Sequence, residues 1–356
     1  MKNVCFTLFT LCLTSASIMC SKDSENTTPT GPENKASGEV TVSTMTYNGW
    51  ENSYELTNGL VTVVVVPAIG RIMFYGFVDG PNILWDDPSL YGKTLPYGAP
   101  YRENGQITWA NFGGDKVWPT EQSQFPVING RSWPPDHWFD GGAHQAQEIP
   151  NGVKITSQVS QYCGAQSIRE ITLDPESSQL FIQQTIKKVR TAQNSSVEPI
   201  DYTIWNVTQI RNPGMALFNL NPSSSLPNGI YLWQEQAGAN ISISDHVAAF
   251  VPHPTRSQKA GADSDYWLGA IVDNTVIGEF FRREAGTYPD NGLSAEVYTS
   301  AQYTELELLS PFARLSNGES RQFDISWRLY KLPTDAVSTS QKRSAAVAWL
   351  NSYREE

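Results

Sequence analysis

Cysteine is scarce in this chain. It has four in 356 residues, and Cys5 and Cys12 fall in an apolar N-terminal run that reads as a removable signal. The exported chain then keeps Cys20 and Cys163. If Cys20 carries a lipid, no internal disulfide can form. Stability must then come from a core, which roughly 300 residues can supply. Positive charge is short as well, with 25 Lys and Arg against 36 Asp and Glu for a net −11. Such a surface argues against nucleic acid or anionic lipid as a partner. It is compatible with neutral sugars and less natural for a strongly anionic polysaccharide. Several catalytic signatures are missing too: there is no Gly-x-Ser-x-Gly, no Walker loop, no His-Glu-x-x-His and no cysteine-rich cluster. No cofactor and no metal is expected. Asp86-Asp87 and Asp263-Ser264-Asp265 read as solvated turns rather than calcium ligands.

The N-terminus says where the chain works. Lys2 precedes an apolar stretch from Val4 to Met19, too short for a membrane span and the right length for a secretory signal. Cys20 ends that run, and the residues up to Glu39 are polar and rich in Ser, Thr, Pro and Gly. This arrangement resembles a bacterial lipoprotein signal. It implies a signal over 1–19, a lipidated Cys20 and a flexible tether over 20–39. The cell envelope is then the expected location, with membrane contact only through the lipid. Cleavage after Ala16, giving a soluble exported form, is the alternative.

From residue 40 onward the pattern is one of strands. Val61 to Val66 is nearly continuous β-branched sequence, as in a strand buried on both faces. Ser167–Leu173 alternates apolar with polar, turns through Asp174-Pro175-Glu176-Ser177-Ser178, and resumes over Leu180–Val189 as a hairpin. Further strands are expected at Ser53–Leu56, Val153–Gln158, Tyr202–Val207, Tyr266–Val272, Val276–Phe281, Tyr303–Leu309 and Phe323–Leu329. Only Ser340–Ser352 reads as a helix. With 22 prolines, 26 glycines and no internal linker or repeat, the expectation is one all-β domain over 40–356.

Ring and carboxylate chemistry concentrates between Trp109 and Gly142. Trp109, Trp118, Trp133 and Trp138 are four of the chain's eleven tryptophans, and Lys116, Glu121, Asp136, His137 and Asp140 lie among them. Two Gly-Gly pairs and Pro134-Pro135 prevent a long helix there. Flat aromatic faces beside a few polar groups are what a sugar-sized ligand needs from a concave site. The competing reading is a Trp-Pro plug at the end of a sandwich.

Several segments, taken in order, resemble the aldose 1-epimerase (galactose mutarotase) superfamily. Asn58 to Leu84 contains a strand, the bend Gly70-Arg71-Ile72 and the segment Gly80 to Leu84. Trp109 to Trp118 is similar to the family's glycine pair, lysine and tryptophan. Thr203-Ile204-Trp205-Asn206-Val207-Thr208 resembles its central strand, and Tyr303 to Pro311 its closing acidic strand. Leu315 to Ser320 and Trp327-Arg328-Leu329 resemble the turn and strand that follow. The set is closest to the uncharacterised DUF4380 branch.

The resemblance implies an all-β, galactose mutarotase-like β-supersandwich with a short C-terminal helix. In mutarotases a carboxylate takes the proton of the anomeric hydroxyl while a histidine protonates the ring oxygen. Glu305 or Glu307, two apart on one strand face, is the implied base. The family's histidine positions hold Asn111-Phe112-Gly113-Gly114 and Trp205-Asn206 instead. His137 is therefore the first choice of acid and His253 the second, with His144 and His246 read as loop residues. Arg71, Trp109, Lys116, Trp118, Glu121, Trp133, Trp138, Trp205 and Asn206 complete the expected sugar site. The function expected is an exported carbohydrate-binding protein acting on a sugar by carboxylate/histidine proton transfer, whether epimerase-, lyase- or hydrolase-like. A non-catalytic sugar-binding surface lipoprotein and a structural envelope lipoprotein are the alternatives.

Overall fold

The computed structural model describes residues 36–233 and 240–354. The expected signal, Cys20 and the tether up to residue 35 lie outside them. Among the described residues two ten-stranded sheets form, with every strand pairing antiparallel. One sheet runs from Thr41–Tyr47 at one edge to Ile230–Leu232 at the other; the second runs from Ile241–Ser244 to His144–Ile149. Val61–Val66 sits inside the first sheet between Trp50–Thr57 and Arg71–Phe77, and its valines are buried on both sides. Ala165–Leu173 and Leu180–Lys188 pair as a hairpin from Leu173↔Leu180 to Ala165↔Lys188. The core lies between the sheets, with Val63, Ile72, Leu306 and Leu308 from the first packed in one cluster with Ile171, Ile182, Ile325 and Trp327 of the second. The C-terminal helix spans Thr339–Asn351 and opens with a capping box between Ser338 and Gln341. Its Ala346, Trp349 and Leu350 cover the outer face of the second sheet at Trp267 and Val276.

Two expected elements shift. The strand expected at Tyr202–Val207 begins at Trp205 and runs to Arg211, while Asp201–Tyr202 pairs separately with Ala313–Arg314. Several strands were not legible at all, among them Met215–Asn219, Val247–Phe250, Gln258–Ala262 and Ala295–Thr299. These are short and carry alanine or glycine where β-branched residues would signal a strand, so pairing with neighbours defines them.

Half of the first sheet positions the site. Its strands run in the order Asp115–Trp118, Trp205–Arg211, Tyr303–Leu309, Ala295–Thr299, Gln258–Ala262. Register aligns Lys116, Val207, Glu307, Glu296 and Gly261 in one row across them. The neighbouring rows hold Gln209, Glu305, Tyr298 and Lys259 on one side, and Trp118, Trp205 and Leu309 on the other. Cross-strand partners and residues two apart share a face, so all of these point away from the sandwich core. The intervening Val117, Leu306, Leu308, Val297 and Ala260 point into it.

Candidate functional site

On that outward face lies a cleft of about 590 Å³ walled by Trp109, Trp118, Trp133, Trp205 and Trp233, with Lys259, Tyr298, Tyr303, Glu305 and Glu307 on its floor and rim. Two lysines organise the floor. Lys116 Nζ is 3.4 Å from Glu305 Oε1 and lies 5.7 and 5.4 Å from the ring centres of Trp109 and Trp118. Lys259 Nζ is 2.6 Å from Glu296 Oε2 and 3.2 Å from Glu307 Oε2, with the rings of Trp205 and Trp233 each 5.1 Å away. Each ammonium is therefore held by carboxylate and by two indole rings, an arrangement strengthened where water is excluded. Gly261 makes room for this. A Cβ there would come within 2.5 Å of Leu293 and 3.2 Å of the Trp233 ring.

The two site carboxylates differ. Glu305 Oε1 receives Lys116 and the Gln209 Nε2 amide at 3.0 Å, which leaves Oε2 as the oxygen for a ligand. Burial lifts the Glu305 carboxyl above its ordinary range, with Lys116 opposing and Glu307 adding to the rise. Burial likewise lowers Lys116. Glu307 Oε2 accepts from Trp205 Nε1 at 2.9 Å and from Lys259. For Lys259 itself burial disfavours the charge, but Glu296 and Glu307 together overcome it and raise its pKa.

Asp140 fixes the tryptophan wall. Its Oδ2 accepts from Trp109 Nε1 at 2.6 Å and its Oδ1 from Trp118 Nε1 at 2.8 Å. Arg71, fully buried, donates to the same Oδ1 at 3.1 Å and to the Gly113 carbonyl at 2.7 Å. One carboxylate thus orients two indoles and balances one guanidinium.

Of the residues expected from sequence, Trp109, Trp118, Trp133, Trp205, Glu305 and Glu307 meet in the cleft, with Lys116 directly beneath. The others lie elsewhere. Arg71 stands behind the wall, with no route to a ligand. Asn206 alternates away from Trp205 to the inner face, where it donates to Asp115 Oδ2 at 2.5 Å and Gln184 Oε1 at 3.3 Å. Glu121 sits outside the lining, its Oε1 taken by Ser123 Oγ at 2.5 Å, and Gln122 lines the cleft instead. Trp138 borders a separate cavity with Tyr97, Gln161 and Arg190.

His137 stacks on Trp138 with ring centres 5.1 Å apart, and burial pushes its pKa down to about 4. At neutral pH it is an uncharged imidazole away from the cleft, and so is not placed to donate a proton there. His144 packs over Gly70, where a Cβ would lie 2.2 Å from its ring, and its Nδ1 meets the Gly142 carbonyl at 2.8 Å. His253 caps its own loop by accepting from Thr255 N at 3.2 Å, and His246 occupies a left-handed turn position. Among the described residues lining the cleft there is no histidine.

Lys259, Glu296, Gln209, Tyr298 and Trp233 were missed from sequence. Lys259, Glu296 and Tyr298 belong to the two short, weakly patterned strands, so their facing was invisible until register was known. Trp233 follows the edge strand Ile230–Leu232. The one available signal was charge and ring alternation in Q-K-A-G-A and A-E-V-Y-T.

Trp133 is the wall residue most open to solvent, at 38% exposure, and packs edge-on against Trp109 at 4.8 Å. Trp133→Ala is therefore expected to weaken binding of any ligand that stacks on this wall on the order of tenfold, or about 1.4 kcal/mol, with little change in melting temperature. Trp118→Ala and Trp205→Ala remove buried rings and are expected to cost about 3–5 kcal/mol of stability. Calorimetric titration beside thermal unfolding separates the two kinds of effect; equal destabilisation by all three would favour the plug reading.

No family model matches the chain, and no curated protein does. Solved structures do. A proposed aldose 1-epimerase from Klebsiella pneumoniae superposes with a TM-score of 0.55 at 11% identity, over 86% of this chain and 86% of that one. A TPR-domain containing protein from Parabacteroides distasonis gives 0.51 at 13% identity over 80% of this chain, which spans only 48% of that protein's length. The Slr1438 protein of Synechocystis gives 0.51 at 13% over 78% of this chain and 96% of that one. At such identities the likeness speaks to architecture. Together with the two packed ten-stranded sheets and the terminal helix, it identifies the fold as the galactose mutarotase-like β-sandwich.

Proposed function

We propose that this chain binds carbohydrate in the tryptophan-walled cleft and moves a proton there through Glu305. The observation that carries the reading is the placement of Glu305 and Glu307 side by side on the cleft floor, with burial lifting the Glu305 carboxyl. A carboxyl tuned upward is better suited to give and take a proton than one at its ordinary value. Glu307, held by Trp205 and Lys259, serves as an acceptor for sugar hydroxyls. The rings supply the apolar faces a pyranose stacks on. The Klebsiella neighbour, a proposed aldose 1-epimerase, is consistent with proton transfer at an anomeric centre. The DUF4380 assignment rests on the order of sequence motifs alone.

The second reading is a non-catalytic sugar-binding protein, and a specific observation favours it: the carboxylate/histidine pair expected from the family lacks its histidine in the cleft. Glycan-array screening followed by proton NMR on each binding sugar separates the two. Anomeric exchange or cleavage supports the enzyme, while binding without change supports the binder. No binding by any glycan would overturn both.

Export and anchoring belong to the same proposal: a signal over 1–19, lipid on Cys20, a tether over 20–39 and the domain over 40–356. Mass spectrometry of membrane-fraction protein should find an N-terminal, acylated Cys20. A soluble form beginning at Ser17 would contradict the anchor.

A further inference from the structure

We infer that the cleft discriminates by charge, rejecting acidic sugars and accepting neutral or amine-bearing ones. The inference rests on the cleft being the sugar site. Two lysines stand at its floor, and both are already engaged. Lys116 faces Glu305, and Lys259 lies between Glu296 and Glu307. Asp290 adds a further carboxyl close to Lys259, Glu296 and Glu307. Four carboxyl groups therefore surround two ammonium groups. The guanidinium of Arg71 is fully buried behind the wall and balanced by Asp140, and no arginine is among the described residues lining the cleft.

A uronate or sulfate entering this space meets no unengaged cation and approaches Glu305 and Glu307 directly. Like charges about 4 Å apart in a partly desolvated site weaken binding on the order of tenfold to a thousandfold. An amine on the ligand meets the opposite situation. The cleft already stabilises two ammonium groups with the same elements, indole faces and carboxylates, at 5.1–5.7 Å from the ring centres. Trp133 offers a further indole to a ligand cation.

The test uses matched oligosaccharides sharing one backbone and differing in one group: neutral glucose units, glucosamine units and glucuronate units, on each common linkage. Calorimetry at low salt should rank the amine form at or above the neutral form, with the uronate at least tenfold weaker. Raising the salt should narrow that gap, because screening acts on the charge term alone. Glu296→Gln removes a buried carboxyl partner of Lys259 that does not line the cleft, leaving that ammonium less engaged, so the ratio of uronate to neutral affinity should rise severalfold. A uronate that binds as tightly as its neutral counterpart at low salt would overturn the inference while leaving the sugar site standing. If no member of any series binds, the sugar-site reading falls and this inference falls with it.

Discussion

Glu305→Gln is expected to lower turnover of a sugar substrate by about 10²–10⁴-fold, the usual contribution of a general acid–base group. The amide keeps the shape and can still accept from Lys116 and Gln209 at the Oε1 position. What it loses is the ability to take or give the proton. The substitution also removes the counter-charge of a fully buried lysine. That loss is softened because burial already lowers the Lys116 pKa, so the lysine can shed its proton instead of remaining charged and unpaired. The variant should fold, bind sugar and fail in turnover. Glu307→Gln, by contrast, should act mainly on affinity, because Glu307 is the carboxylate held by Trp205 and Lys259. Wild-type rates from both variants on an identified substrate would remove these carboxylates from the chemistry.

Asp140→Asn is expected to be strongly destabilising, on a par with truncating a buried wall tryptophan. Asp140 accepts from both wall indoles and balances Arg71, whose side chain is inaccessible to solvent. An asparagine amide would turn N–H groups toward one indole N–H and leave Arg71 without its nearest anion. Removing one partner of a buried ion pair costs about 3–5 kcal/mol, which for a domain of this size lowers the melting temperature by roughly 5–10 °C. Sugar affinity should fall in the same variant, because Trp109 and Trp118 lose the contact that sets their ring planes. Thermal unfolding and sugar titration on one preparation check both. A melting temperature within 1–2 °C of wild type, equivalent to about 1 kcal/mol or less, would show that Arg71 finds compensation elsewhere.

The fold was legible where local pattern and tertiary role agree. The valine run 61–66 and the hairpin around Asp174-Pro175 stand where their periodicity puts them. So does the terminal helix, within one residue at either end. The tryptophan concentration also pointed to the right wall, because three of its four rings line the cleft. Facing was harder. Asn206 and Trp205 are neighbours in sequence, yet strand alternation sends one to the core and the other to the cleft. Arg71 and His137 carry chemistry-bearing side chains, but burial assigns both to support of the loops behind the wall. Lys259 reaches the cleft, and Glu296 comes to lie beneath it, only through the pairing of Gln258–Ala262 with Ala295–Thr299, a long-range fact that no local pattern encodes.

The most direct test of the sugar site is a crystal structure of the protein soaked with the tightest-binding glycan from the array. The account predicts a pyranose ring against the Trp109–Trp133 wall, with one hydroxyl within hydrogen-bond distance of Glu305 Oε2 and another at Glu307. A sugar seated elsewhere on the molecule, with this cleft holding only water, would contradict it.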